Sequence, residues 1–150
     1  MRIKLALLTL AFAVVTAAAF ADLTPWKDYA VSEALWEVTT IKVDSNMGDA
    51  YLEGIRATWV AGNKVSMELG QIEDYKILRS DLPESGHFNL ILMVKYKNSA
   101  SMAPSQKRYE AFVKKWGEQN LKETTEFAQK NYPAMRKITG QYHLREITLK

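Results

Sequence analysis

The sequence predicts an α+β fold with the element order strand, helix, strand, strand, helix, strand. Apolar residues recur at helical spacing in two long segments, and four shorter segments are rich in β-branched and aromatic residues. This order is the ferredoxin-like βαββαβ arrangement, in which a four-stranded antiparallel sheet carries two helices on one face. Because the helices leave the other face uncovered, we expect a second sheet to pack against it.

The first 21 residues have the three parts of an export signal. Arg2 and Lys4 supply positive charge, residues 5–18 form an apolar run, and residues 19–21 read Ala-Phe-Ala, a small-x-small cleavage site before Asp22. An apolar run of about 14 residues is shorter than the ~20 that a membrane-spanning helix needs. The pattern therefore predicts a cleaved signal peptide, a periplasmic or secreted protein, and no membrane insertion after cleavage.

Cleavage also changes the charge balance of the chain. The full sequence has 20 basic and 17 acidic residues, and loss of Arg2 and Lys4 leaves 18 against 17. Since the remaining charges are scattered, nucleic-acid binding is disfavoured. The chain has no cysteine, which excludes a disulfide framework, a thiolate nucleophile and a lipid-modified cysteine after the signal. We expect an N-terminal arm over residues 22–34 and one domain over residues 35–150.

The first strand and the first helix follow the arm. Residues 35–43, LWEVTTIKV, have strand composition and end at a turn-prone Asp-Ser-Asn. Helical spacing then predicts one helix over about residues 46–69, which ends before Gly70. Gly54 and Gly62 inside it each cost about 1 kcal/mol relative to alanine, so we expect a close approach to the sheet or a local break there.

The second half of the chain repeats the pattern. Strands are predicted over residues 75–80 and 87–97, joined by a hairpin loop that contains Pro and Gly. A long helix is predicted from Pro104 to Pro133, and a last strand over residues 142–149. We expect the sheet face away from the helices to be of mixed polarity and to enclose a semi-polar cavity against the second sheet. The residues assigned to that face are Glu37, Thr39, Ile41, Tyr75, Ile77, Arg79, Asn89, Ile91, Met93, Tyr142, Leu144 and Glu146.

Three segments resemble the dimeric α/β-barrel superfamily, and within it most closely NIPSNAP-type and EthD-type domains. They are LWEVTTIKVDSNMGDAYLEGIRATW, the hairpin YKILRSDLPESGHFNLILMVKY and the helix KRYEAFVKKW. The resemblance covers residues 35–149 and rests on element order, helix aromatics and strand spacing. It implies a homodimer whose two sheets close into a barrel, often with a small-molecule pocket. The superfamily includes cofactor-independent monooxygenases, isomerases, haem enzymes and proteins without known activity, so it implies no particular catalytic residue here.

The sequence contains few residues in catalytic or metal-binding patterns. His87 and His143 are the two histidines, and neither has the spacing of a metal-ligand set, so no metal or other cofactor is predicted. There is no nucleophile elbow, P-loop or dinucleotide fingerprint. Glu37 and Glu146 lie on the predicted first and last strands, where their separation depends on register. A paired-carboxylate site and a structural or solvent-exposed role are both left open for them.

Aromatic residues with nearby polar groups suggest a ligand pocket. The residues chosen for it are Trp59, Tyr75, Arg79, His87, Asn89 and Tyr142, although helical aromatics such as Trp59 also serve simply as core. The leading interpretation is an exported dimeric domain that binds a small organic molecule. A cofactor-independent monooxygenase or isomerase is the alternative, with Asn89, His87, Arg79 and a tyrosine polarising an enolisable substrate. A structural or interaction protein without a ligand is the third.

Overall fold

The computed structural model describes residues 22–82, 84 and 86–150. The predicted signal peptide, residues 1–21, lies outside the described residues and stays a prediction. Pro83 and Ser85 of the predicted hairpin loop also lie outside them. Among the described residues, no helix combines the length and the hydropathy needed to cross a bilayer.

The element order confirms the predicted fold class. Strands β3, β4, β2 and β5 lie side by side in this order in one antiparallel sheet, and β1 pairs with β6 in a separate two-stranded sheet. Helical segments connect β2 to β3 and β4 to β5, as in the ferredoxin-like arrangement. Along the chain the strands and α-helices are β1 (Tyr29–Val31), β2 (Leu35–Val43), α1 (Gly48–Ile55), α2 (Ala61–Glu68), β3 (Asp74–Arg79), β4 (Leu90–Tyr96), α3 (Gln106–Trp116), α4 (Glu118–Asn131), β5 (Arg136–Leu144) and β6 (Ile147–Leu149).

The first predicted helix is present, but a π-helical turn at Arg56–Val60 joins α1 to α2. A π turn places one more residue in the helix than an α turn does, and it is common where a helix lines a site. Gly54 is buried just before this turn, and a Cβ atom on it would lie 3.1 Å from ring carbons of both Phe127 and Tyr132. The close approach expected at this glycine is therefore real, but it is made to side chains in and just after α4 instead of the sheet.

The long second helix is broken, which the sequence analysis did not predict. Gly117 has a φ of 93° and separates α3 from α4. A residue with a side chain adopts this conformation only with strain, so glycine permits the change of direction. Ser105 caps α3 by accepting a hydrogen bond from the Arg108 N–H at 3.3 Å. Pro133 lies in a further 3-10 turn, Tyr132–Ala134, which follows α4.

Two strands differ from their predicted bounds. Strand β4 begins at Leu90, so His87 and Asn89 precede the strand instead of belonging to it. Strand β5 begins at Arg136, because it pairs with β2 from Val43 to Trp36. The strand predicted over residues 142–149 is therefore divided between the end of β5 and the whole of β6. The pairing shifts between Thr40 and Ile41, which leaves Thr139 as the extra residue of a β-bulge.

The register of the strands defines two faces of the large sheet. Residues paired directly across an antiparallel ladder lie on the same face. We call the face under the helices the covered face and the opposite one the open face. The covered face carries Glu37, Thr39, Ile41, Val43, Tyr75, Ile77, Arg79, Leu90, Leu92, Val94 and Tyr96, and the open face carries Trp36, Val38, Thr40, Lys76, Leu78, Ile91, Met93, Lys95, Tyr142 and Leu144.

This arrangement corrects the predicted mixed face. Ile91, Met93, Tyr142 and Leu144 do lie on the open face, but the predicted residues of β2 and β3 lie under the helices. The interior of the domain explains why: Ile41 is 1% exposed and packs with Tyr51 and Ile55 of α1. An isoleucine in that position shields more apolar surface from water than the same side chain on the open face.

Candidate functional site: a groove between sheet and helices

A cavity of about 340 Å³ lies between the covered face and the helical layer. It adjoins a second space of about 290 Å³, and the two share Glu37, Asn63, Ser66 and Tyr96 in their linings. We call the two spaces together the groove. The four shared residues are polar, so the middle of the groove is lined by polar side chains. A concave site with a few polar groups among aromatic ones is typical of small-molecule binding.

Glu37 and Tyr96 form the polar centre of the groove floor. Glu37 of β2 is paired with Val94, which places Tyr96 diagonally across on β4. The Tyr96 hydroxyl donates a hydrogen bond to Oε2 of Glu37 at 3.2 Å, and both side chains are half-buried. Burial, and then the negative charge of Glu37, raise the pKa of Tyr96 to about 12. Tyr96 therefore stays protonated at neutral pH and remains a hydrogen-bond donor.

The helical wall of the groove comes from the π turn and α2. Trp59 lies in the π turn, and its ring meets Tyr75 of β3 edge-on at 5.5 Å between centroids. The side-chain amide of Asn63 donates to the Trp59 carbonyl at 2.8 Å, which leaves the Asn63 amide oxygen as an acceptor. Phe112 of α3 completes the aromatic part of this wall. The groove thus offers a carboxylate, a phenol and an amide beside two aromatic rings.

The structure does not bring the six predicted pocket residues together. Trp59 lines the groove and Tyr75 supports it. Tyr142 lies across the sheet on the open face, where it is 51% exposed. His87 lies exposed in the loop before β4.

Arg79 and Asn89 lie near the start of α1, away from the groove. Asn89 is buried, and its side-chain oxygen accepts from the Val43 N–H while its amide donates to the Val43 carbonyl, both at 2.8 Å. Arg79 is half-exposed, and its Nη1 atom lies 3.8 Å from Oδ1 of Asp49. Asn89 thus extends the sheet by bonding backbone groups beyond the end of β4, which is a structural role and not one in ligand recognition.

The two glutamates weighed as a paired site lie on different sides of the sheet. Glu37 lines the groove, whereas Glu146 accepts a hydrogen bond from the Trp36 indole at 2.9 Å on the open-face side. Glu146 also lies 3.7 Å from Lys95, and the indole bond together with that charge lowers the pKa of the Glu146 carboxyl. A two-carboxylate mechanism between them is therefore excluded. In the described part of the chain, no three His, Asp or Glu side chains are grouped as metal ligands.

Sequence reasoning missed most of the groove. Tyr96, Asn63 and Ser66 were not selected, and Glu37 entered only as half of a carboxylate pair and as a residue of the predicted mixed face. One signal was available: Glu37 is the acidic residue of an otherwise apolar or hydroxyl-bearing stretch, LWEVTT. An acidic residue among core positions requires a partner, and that partner is Tyr96.

Fold and site together define a ferredoxin-like α+β domain with a polar-centred groove between its sheet and its helices. No family model and no curated protein matches the sequence.

Solved structures give matches at low identity. The chain is similar to HapK from Hahella chejuensis, with 12% identity, a TM-score of 0.46, and coverage of 75% of this chain and 91% of that one. It is also similar to a dimeric protein of unknown function and ferredoxin-like fold from Bacteroides fragilis, with 8% identity, a TM-score of 0.42, and coverage of 81% and 100%. A third match is hydroxynitrile lyase from Passiflora edulis, with 14% identity, a TM-score of 0.39, and coverage of 79% and 95%.

The resemblance to the dimeric α/β-barrel superfamily stays a prediction from the sequence. The closer likeness to NIPSNAP-type and EthD-type domains stays a prediction. The fold itself is established by the strand order and the connections of this chain.

Proposed function

We propose that this protein is an exported, homodimeric domain that binds a small organic molecule in the groove. The observation that carries the proposal is the Glu37–Tyr96 pair, a carboxylate and a neutral phenol held together inside a concave site. The carboxylate favours a ligand with a hydrogen-bond donor or a positive charge. The rings of Trp59 and Phe112 favour a planar or apolar body.

A thermal-shift screen of the mature protein against a metabolite library tests ligand binding. A ligand of the groove raises the melting temperature by mass action, and Glu37→Gln removes that rise because the carboxylate is lost while the shape is kept. Glu33→Gln is the matched control, since Glu33 is exposed and outside the groove. A library without any hit, or a hit that Glu37→Gln leaves unchanged, contradicts the proposal. The first result would favour a structural or interaction role.

The same pair favours a second candidate, a proton-transfer enzyme such as an isomerase or a cofactor-independent monooxygenase. Glu37 would accept a proton from an enolisable substrate, and the Tyr96 hydroxyl would then turn its one hydrogen bond from the neutralised Glu37 to the developing oxyanion. These roles pass to Glu37 and Tyr96 because Asn89, expected from the sequence to polarise the substrate, is bonded to the backbone. The test is deuterium incorporation from heavy water into a groove ligand, lost in Glu37→Gln and reduced in Tyr96→Phe. Binding without exchange contradicts it.

Homodimerisation is supported by the open face. Leu78, Tyr142 and Leu144 are each about half-exposed there, at 49%, 51% and 50%. Lys76 and Lys95 lie at the edge of the same face beside Asp74 and Glu146, so both signs of charge are present. A face that combines an apolar centre with both signs of charge can pack against an identical copy about a twofold axis.

Export is supported by residues 1–21 of the sequence. N-terminal sequencing of protein expressed with those residues tests it, with Asp22 expected as the first residue of the exported form. Intact Met1 in a soluble cytoplasmic fraction would contradict it.

A further inference from the structure

A separate cavity, also of about 290 Å³ and outside the groove, contains an arginine without an acidic partner among the described residues. It is lined by Ala128, Gln129, Tyr132, Pro133 and Arg136, and shares no lining residue with the groove. A hydrogen bond between the hydroxyls of Thr58, which lines the groove, and Tyr132 connects the walls of the two sites. We call the cavity that contains the arginine the Arg136 cavity.

Arg136 is held in place by aromatic rings. The carbon of its guanidinium lies 5.6 Å from the ring centre of Tyr51 and 5.2 Å from that of Tyr132. The side chain is half-buried, its Nε is buried without a hydrogen-bond partner, and no described carboxylate lies within ion-pair distance of it. Attraction to the two rings offsets part of the cost of removing this charge from water. The faces of the two rings, however, provide no hydrogen-bond acceptor for the guanidinium.

Tyr51 adds a second unpartnered polar group beside the arginine. It is completely buried, and its hydroxyl has no hydrogen-bond partner among the described residues. Burial raises the pKa of Tyr51 to about 12, and the nearby positive guanidinium of Arg136 partly opposes that rise. The hydroxyl therefore stays protonated. Tyr51 does not line the cavity, so the polar group available to a ligand there is the Arg136 guanidinium, which has no acidic partner among the described residues.

We propose that the Arg136 cavity binds the carboxylate of a small organic acid. A planar guanidinium matches a carboxylate through two parallel hydrogen bonds, and a half-buried one is weakly screened by water. Apart from Arg136 and the exposed Gln129, the lining consists of Ala128, Pro133 and the ring of Tyr132, which suit an apolar body better than a free phosphate ion. The shape and the lining thus favour an organic carboxylate over an inorganic anion.

Isothermal titration calorimetry of the mature protein with three probes tests the ligand class. Sodium benzoate should bind saturably, whereas benzamide, its neutral analogue, and inorganic phosphate should bind at least about tenfold more weakly, the loss expected when a charge-assisted hydrogen bond or the apolar contact is missing. Absence of benzoate binding, or equal binding of benzamide, overturns the proposal. Phosphate binding as tight as benzoate shows a general anion site and also overturns it.

Two variants locate the binding. Gln129→Glu places a carboxylate at the mouth of the cavity on an exposed residue, so the fold is kept while the arginine gains an internal partner, and benzoate binding should weaken about tenfold or more. Arg136→Lys should weaken it as well, because the bidentate geometry is lost. Arg56→Gln is the control, since Arg56 is exposed, pairs with Glu53 and lies outside the cavity. Equal benzoate affinity in wild type and Gln129→Glu, or loss of affinity in Arg56→Gln, overturns the assignment.

Discussion

The two faces of the same sheet differ in how their apolar residues are shielded from water. On the covered face, Ile41 is 1% exposed and Leu90 3%, because the chain's own helices pack on them. On the open face, Leu78 and Leu144 are about half-exposed, although Val38 of the central strand is 5% exposed. The covered face is a finished core, and the open face is the one proposed above as the dimer interface. We therefore expect stability to depend mainly on the first face and association mainly on the second.

The largest expected effect separates association from folding. Ile91→Asp puts an unpaired charge on the open face beside Leu78, which should cost about 3–5 kcal/mol if that face is buried in a dimer. Sedimentation should then show a monomer where wild type is a dimer. Leu82→Asp, at a 70% exposed loop residue, is the control and should leave the dimer intact. A wild-type monomer at micromolar concentration would contradict the role of the open face.

The next effect compares one aliphatic truncation on each face. In the Ile91→Asp background, where association does not contribute, Ile41→Ala should lower the free energy of unfolding by about 2–5 kcal/mol through the cavity it leaves. Leu78→Ala should cost much less, because its side chain is already half in water. Urea unfolding followed by circular dichroism measures both. Equal losses would show that the open face is packed within one subunit.

A smaller effect is expected at the end of the sheet near Asn89. Asn89→Ala leaves the buried N–H and carbonyl of Val43 without their side-chain partner, which should cost about 1–3 kcal/mol. Asn120→Ala, whose exposed amide bonds a helix carbonyl, should change the free energy of unfolding by only about 0.5 kcal/mol. Ligand binding in the groove should be unaffected by Asn89→Ala. Loss of binding with unchanged stability would restore Asn89 as a recognition residue.

The smallest effect is a pH dependence at the edge of the open face. The Trp36 indole bond and Lys95 lower the pKa of Glu146 in the folded protein, so its stabilising contribution is complete above the unfolded-chain pKa and is lost as pH falls through the folded-state pKa. Glu146→Gln keeps an acceptor for the indole but removes the charge. The difference in unfolding free energy between wild type and this variant should favour wild type at neutral pH and shrink in acid. A difference independent of pH would contradict this.

Local patterns predicted the elements better than their faces. Strand β2 has the bounds expected from its β-branched and aromatic residues, because they differ clearly in composition from the turn that follows. Its faces were misassigned because β2 is central and both of its sides are largely buried, with Trp36 at 7% and Ile41 at 1% exposed. Where both sides are apolar, alternation does not identify the core side, and only the long-range register with β4 decides it.

Predicting the groove residues required the same long-range strand register. Glu37 and Tyr96 are 59 positions apart and meet only because Glu37 is opposite Val94 in the ladder. Asn63 and Ser66 face the groove because a π turn precedes them, and the apolar periodicity of this helix does not indicate such a turn. Trp59, chosen from the sequence for a pocket, does line the groove, because a large aromatic on the inner side of a helix borders whatever space is left there.

The bulge at Thr139 has a consequence for solubility. Strand β5 is an edge of the large sheet, and a straight edge exposes a row of backbone donors and acceptors on which another strand can grow. The extra residue interrupts that row and increases the local twist. Next to the bulge, the Tyr142 ring packs against Gly140, and a Cβ atom on Gly140 would lie 2.5 Å from the Tyr142 hydroxyl. At the opposite edge, β3 carries Lys76 and Arg79. Both borders of the sheet thus resist the strand-by-strand stacking that begins fibrils.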